Sequence, residues 1–270
     1  MKEIKPGFYK DLSIDDYHSS NGISKSGIMK ISKSPIHYWH EYLNENKPEK
    51  TRSNDFIIGD MVHTKLMEPE KFEDRFCIAP ICDRRTKKGK DEWENLLSSK
   101  GNKEICTFDM SYQANCMEES AKNNNEFISL IDGGMYESSI YWNDIETGVL
   151  CKSRPDILGF DYVADIKTTK DISPDSFARD CITYGYDIQA AMWQMAIHAN
   201  FGNMVKSFFI LAIEKDPPYA TAVYLLSDDM IHHGRKRFQE NLKIYKECLD
   251  KNEWHSIKPQ ILELPRWLKL

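Results

Sequence analysis

The hydrophobic pattern of this chain changes period near Tyr136, and that change limits what it can fold into. Upstream, apolar residues recur at helical spacing. Downstream come three β-rich runs, YESSIYWND, TGVLCKSRPDILGF and YVADIKTT, separated by the turn residues Asn143-Asp144 and Gly159. They predict an antiparallel meander of three strands. A long amphipathic helix over about 186–201 follows, then MVKSFFILAI, a nearly continuous apolar run of the kind buried on both faces of a sheet. ATAVYLL predicts a further strand and 228–249 a closing helix. The order defines an α/β fold, a central mixed β-sheet flanked by helices.

In the upstream part, Ser34-Pro35 reads as a helix start, Ser as N-cap and Pro at the first helical position, with Ile36, Trp39 and Leu43 at helical spacing. A second helix is predicted from about Asn54 through FIIGDMVHTKLMEP, ending before Pro69. A basic loop, DRRTKKGK (83–90), precedes a short helix around 92–98, and another helix starts at Asp109. No repeat or Gly/Ser linker divides the chain. It reads as a single domain over 1–270, with a helical part to about 130, a core over 131–250 and a tail over 251–270.

Composition excludes several classes. With 41% hydrophobic residues and 29% charged, the chain is globular, neither collagen-like nor disordered. The net charge of -6 argues against coating nucleic acid by bulk charge but leaves room for local basic patches. No apolar run approaches the roughly 20 residues of a membrane span. The start, MKEIKPGFYKDLSIDDYH, lacks the apolar stretch of an export signal, so a cytoplasmic location is expected. The seven cysteines are odd in number and contain no C-x-x-C pair, which predicts buried or half-buried thiols rather than disulfides or a zinc ribbon. No Walker A sequence is present, so no ATP-driven motor is expected.

The chemistry concentrates on two adjacent predicted strands. Pro155-Asp156 is followed nine residues later by Asp165-Ile166-Lys167. Asp165 and Lys167 share one face of a strand, and a short turn can bring Asp156 beside them. Two carboxylates and a lysine suit Mg²⁺, whose retained waters serve as nucleophiles, while the lysine orients or helps deprotonate the water and stabilises charge on a phosphate. Val163 and Ile166 would anchor the strand. Such a motif arises by chance in about one chain in ten, so a strand-end salt-bridge cluster stays open on these residues alone. His63, one turn after Gly59 on its helix, can complete a Mg²⁺ or Mn²⁺ shell or be structural. Glu137 can supply another acid or be an exposed strand-end charge. Tyr186 and Gln189 share a helix face, and the glutamine can hold a water or phosphate or simply be polar surface. Arg84, Arg85, Lys87, Lys88 and Lys90 place five cations in seven residues, a phosphate grip or a solvated charge run. Ser32 and Ser34 offer donors to a phosphate at a helix start, Ser34 more simply as the cap.

Taken together, ISKSGIMKISKSP, IGDMVHTKLMEPEKFEDRF, DRRTKKGK, ESSIYWNDIETGVLCKSRPDILG, VADIKTT, YGYDIQ and LPRWLK resemble the C-terminal nuclease domain of the RecE (exodeoxyribonuclease VIII) family, from about Asp16 to Trp267. That family lies in the PD-(D/E)XK nuclease superfamily with lambda exonuclease. The resemblance implies a Mg²⁺-dependent, ATP-independent, processive exonuclease. It would digest linear double-stranded DNA 5′ to 3′ and leave a 3′ single-stranded overhang for a RecT-type annealing protein in a bacterial host cell. It further implies a homo-oligomeric ring, tetrameric as in RecE, whose lumen would carry the basic residues of an acidic chain. Carried over by motif, His63, Asp156, Asp165 and the Ile166 carbonyl are metal ligands, Lys167 the catalytic lysine, Tyr186 and Gln189 the family's YxxQ helix, and Glu137 the acid before the meander. The RRTxxGK loop would contact DNA. The long N-terminal extension of prophage RecE has no counterpart here, and no cysteine spacing suits the iron–sulfur cluster of some superfamily members. The alternatives are a PD-(D/E)XK endonuclease of restriction or junction-resolving type, or a catalytically inactive DNA-binding scaffold.

Overall fold

A computed structural model describes residues 2–48, 51–202, 205–257 and 259–263. The first half is helical: α1 (Ile14–Ser19), α2 (Lys25–Lys33), α3 (Pro35–Tyr38, continued by a π turn over Trp39–Leu43), α4 (Asn54–Met67), α5 (Phe72–Arg75), α6 (Lys87–Ser99), α7 (Phe108–Lys122) and α8 (Asn125–Asp132). Short strands β1 (Gly7–Tyr9), β2 (Phe76–Ile78) and β3 (Glu104–Cys106) lie among them. The second half runs β4 (Met135–Tyr136), β5 (Ser139–Asn143), β6 (Leu150–Ser153), β7 (Ile157–Leu158), β8 (Tyr162–Thr169), α9 (Pro174–Thr183), α10 (Tyr186–Phe201), β9 (Ser207–Glu214), β10 (Thr221–Leu225) and α11 (Asp228–Lys251).

The main sheet has the order β10-β9-β8-β7-β4, with β8 and β9 parallel and the other pairs antiparallel. The parallel pair needs a helical crossover, which α9 and α10 supply. Side chains of this pair alternate between two apolar layers. Val163, Phe208, Ile210 and Ala212 face the cluster built with α2, α10 and α11, while Ala164, Ile166, Leu211 and Ile213 face α4, α7 and α8. Burial on both faces is why MVKSFFILAI carries so few polar residues.

Three expectations need correction. The predicted meander is divided between two sheets: β5 and β6 pair with β1 in a separate three-stranded sheet, while β4, β7 and β8 belong to the main one. The first two β-rich runs each bend once, passing from one sheet to the other. Second, α10 has the predicted span but is not amphipathic. Ile188, Ala190, Ala191, Met192, Trp193, Ala196 and Ile197 bury it nearly all round, because it lies between sheet, α2 and α11. Third, the helix at Ser34-Pro35 keeps Ile36 and Trp39 36% exposed, so their spacing does not mark a buried face. The cysteines are buried or half-buried as expected. The tail ELPRWLKL lies outside the described residues apart from Glu263. Among the described residues no helix is long and apolar enough to cross a membrane.

α11 is fixed across α10 at one close approach. A Cβ on Gly234 would stand 2.0 Å from the Asp187 carbonyl oxygen, so only glycine fits. The neighbouring Asp187 carboxylate, 0% exposed, accepts from Arg237 Nη1 at 2.9 Å and lies 2.9 Å from His233 Nδ1. Gly234→Ala must push the helices apart, and chemical denaturation should show a loss of about 2–3 kcal/mol, the upper range for overpacking. A loss under about 0.5 kcal/mol would mean that α11 is not locked at this point.

Candidate active site

The two bends between the sheets assemble the site. The first falls at Glu137, whose φ of 52° is uncommon for a residue other than glycine. The second falls at Arg154-Pro155-Asp156, where Pro155 has no N–H to continue a ladder. The bends are stitched to each other, Glu137 N–H donating to the Asp156 carbonyl at 3.1 Å. α4 crosses the same point from the other side: Gly59 lies against Thr168 of β8, and His63 projects one turn further on. His63, Glu137 and Asp156 thus each present a ligand atom, all within 4.8 Å of one another. His63 Nδ1 is 3.4 Å from Asp156 Oδ2, and its Nε2 is 2.8 Å from the Ile166 carbonyl oxygen.

Asp165 and Lys167 share a face of β8 as the strand period requires, and they form an ion pair. Asp165 is 1% exposed, and its Oδ1 accepts from Gln189 Nε2 at 3.0 Å. Ile166 N–H donates to Asp156 Oδ2 at 2.9 Å, fastening the second carboxylate to the same strand. Lys167 Nζ lies 5.3 Å from the centre of the Tyr186 ring, so both members of the predicted YxxQ pair reach the centre. Lys25, which the sequence reading missed, lies over the same ring at 5.3 Å. Its only sequence signal is its place in the ISKSG block.

The electrostatics follow from crowding three carboxylates into a half-dry space. Burial, and then the charge of Asp165, hold the Asp156 carboxyl well above the ordinary carboxylate range. Burial and then the Lys167 charge lower the His63 imidazole, leaving it neutral with a lone pair for a metal. Burial works against the Lys167 ammonium, but Asp165 and Asp156 outweigh it and raise its pKa. The lysine therefore donates hydrogen bonds and positive charge rather than removing a proton. Lys25 is brought down to about 8 by burial and by Lys167.

The donor set fits a hard divalent cation. An imidazole nitrogen, two carboxylates and a carbonyl suit Mg²⁺ or Mn²⁺. The 2.8 Å between His63 Nε2 and the Ile166 oxygen also matches two adjacent ligands with bonds of about 2.0–2.1 Å to one ion. Asp165, the other expected carboxylate ligand, turns Oδ1 to Gln189 and faces Lys167 with Oδ2, a buried oxygen without a regular hydrogen bond, and its charge acts directly on Asp156.

Two clefts open on this centre. One of about 1260 Å³ is lined in part by His63, Glu137, Arg52, Phe56 and Arg75. The other, about 900 Å³, is lined in part by Lys25, Lys167, Gln189 and Lys152. His18 and Arg154 line both. The basic segment 84–90 lines neither, and it is not a loop throughout: Thr86 caps α6 by accepting from Gly89 N–H at 3.0 Å, so Lys87, Lys88 and Lys90 occupy its first turns. Arg84 lies 4.2 Å from the centre of the Trp93 ring, and Arg85 pairs with Asp83. The two serines are also corrected. Ser32 sits in the last turn of α2, exposed, not at a helix start. Ser34 is buried and hydrogen-bonded to His37 Nδ1, so its hydroxyl neither caps α3 nor is offered to a phosphate.

A mixed sheet between helix layers, with Asp156 and Asp165-x-Lys167 meeting on it, is the arrangement of the PD-(D/E)XK nuclease fold. Residues 24–258 match the model of the family described as PDDEXK-like domain of unknown function (DUF3799), and the chain belongs to that family. Among solved structures it is similar to a "Putative exonuclease" from Eubacterium rectale, at 17% identity, a TM-score of 0.65, and coverage of 95% of this chain and 92% of that one. A weaker similarity is to LHK-Exo in complex with dAMP, at 15% identity and a TM-score of 0.25 over 71% of this chain and 90% of that one. No curated protein matches.

The raised pKa of Asp156 has a stability consequence. Between its unfolded and folded values the native state binds more protons than the unfolded one, so metal-free stability falls as pH rises through that interval. Asp156→Asn, which keeps an acceptor for Ile166 N–H, should raise the midpoint of denaturation in EDTA at pH 7. The gap should close as pH falls below about 4, where the aspartic acid becomes protonated in both states. An unchanged or lower midpoint at pH 7 would show that the carboxylate is not under electrostatic stress.

Proposed function

We propose that this protein is a divalent-metal-dependent nuclease that hydrolyses phosphodiester bonds of DNA. The observation that carries the reading is the meeting of His63, Glu137 and Asp156 with the Asp165–Lys167–Gln189 triad at one point between two clefts. His63, Asp156 and Glu137 would hold the ion, with the Ile166 carbonyl beside them; bound there, it supplies Lewis-acid stabilisation of phosphate charge and lowers the pKa of a water. The chain's own groups do the rest. Lys167, kept cationic by Asp165, places positive charge where a pentacovalent phosphate develops negative charge. Gln189 holds Asp165, and therefore the lysine, in register. Tyr186 lays its ring beside the ammonium, and Lys25 adds a second cation for the phosphate backbone.

The finer reading is an ATP-independent, processive 5′ to 3′ exonuclease acting on linear double-stranded DNA. It would leave a 3′ overhang for a RecT-type annealing partner and work as a homo-oligomeric, tetrameric ring. Its support is the run of RecE-like blocks from about Asp16 onward, five of them placed around this centre.

The test is digestion of end-labelled linear duplex DNA in Mg²⁺ beside a closed circular duplex, with EDTA and Lys167→Ala as controls. Loss from the 5′ end of the linear DNA alone is expected, with at least about a hundredfold lower rate for Lys167→Ala. Nicking of the circle would transfer the assignment to an endonuclease, and no cleavage of either would overturn it.

A further inference from the structure

We propose that Arg154 is a positioning residue that sets the metal affinity of the site by fixing the Glu137 carboxylate, an inference that rests on the metal-dependent reading above. Arg154 Nε donates to Glu137 Oε2 at 2.7 Å, while Nη1 donates to Ser139 Oγ at 2.6 Å and to the Leu12 carbonyl at 2.9 Å. The Arg154 side chain is only 11% exposed and Ser139 is 0% exposed, so two acceptors, Ser139 and Leu12, fix the fork before it meets the carboxylate. Glu137 has the opposite character. It sits at a bend, in a left-handed conformation at φ 52°, with a side chain 25% exposed. Strain of this kind costs about 1–3 kcal/mol and persists only where the surroundings over-determine it.

The bends make the pairing specific. Arg154 and Glu137 flank the backbone bond from Glu137 N–H to the Asp156 carbonyl, so the arginine ties one bend to the other at the side-chain level. A rotamer-free glutamate would spend most of its time away from His63 and Asp156. Held by Arg154, it stays within the 4.8 Å group. Lysine cannot substitute fully, since a single ammonium on a flexible stem cannot reproduce a planar fork with three simultaneous acceptors.

Mn²⁺ binding to the DNA-free full chain, read by calorimetry, tests this apart from catalysis. Arg154→Ala should weaken Mn²⁺ binding by about 10–100-fold, the range for lost partners of metal ligands, with Arg154→Lys intermediate. Glu137→Gln should weaken it similarly, and the double substitution should bind no more weakly than Glu137→Gln alone. Unchanged or tighter binding in Arg154→Ala, or losses that multiply in the double variant, would overturn the proposal. Circular dichroism checks folding, and Arg154→Gln, which keeps a donor for Leu12 and Ser139, replaces Arg154→Ala if the latter is unfolded. Failure of the unsubstituted protein to bind Mn²⁺ would overturn this proposal and the metal reading together. Normal Mn²⁺ binding without DNA cleavage would overturn the nuclease reading alone.

Discussion

Everything around the site answers one demand, the placement of an Asp165–Lys167 ion pair on an internal strand of a sheet covered on both faces. Taking two charges out of water costs several kcal/mol per ion, and the loss is recovered only when the remaining donors and acceptors are satisfied. Each neighbour does part of that. Gln189 takes the other oxygen of Asp165, the Ile166 N–H reaches across to Asp156, and Tyr186 lays its ring beside the ammonium. α10 can carry those two residues to the right place because its first turn is anchored from behind, where Arg237 and His233 hold the buried Asp187.

The legible part of the site is the part set by local geometry. Asp165 and Lys167 share a face because strands alternate, and Asp156 joins them through a turn of few residues. Tyr186 and Gln189 share a face because they are one helical turn apart. Glu137 resisted, since its proximity to His63 depends on a left-handed bend that no propensity for glutamate suggests. Lys25 and Arg154 resisted for another reason: Tyr186 lies more than a hundred residues from Lys25 in sequence, and Leu12 as far from Arg154.

The misread segments have physical causes too. DRRTKKGK looks like a loop because cations at a helix N-terminus oppose the helix dipole and glycine is a poor helix former. Gly89 is nonetheless helical because the chain folds back on it, and a Cβ there would stand 2.1 Å from the Asp83 carbonyl oxygen. Alternation in sequence does not reveal a strand that changes sheets midway, so the meander reads as one sheet although it is divided between two. Its change-over points, Glu137 and Arg154–Asp156, turned out to be the chemistry.

The separation of the ligands along the chain has a consequence for the order of biosynthesis. His63 comes from one region, Glu137 and Asp156 from a second, and Gln189 from a third, while β8 is closed on its far side only by β9, ending at Glu214. A chain that ends before β9 holds every carboxylate on or beside β4, β7 and β8, with β8 left as an uncovered edge. The support around the three carboxylates is therefore completed only when β9 pairs with β8, late in the order of synthesis.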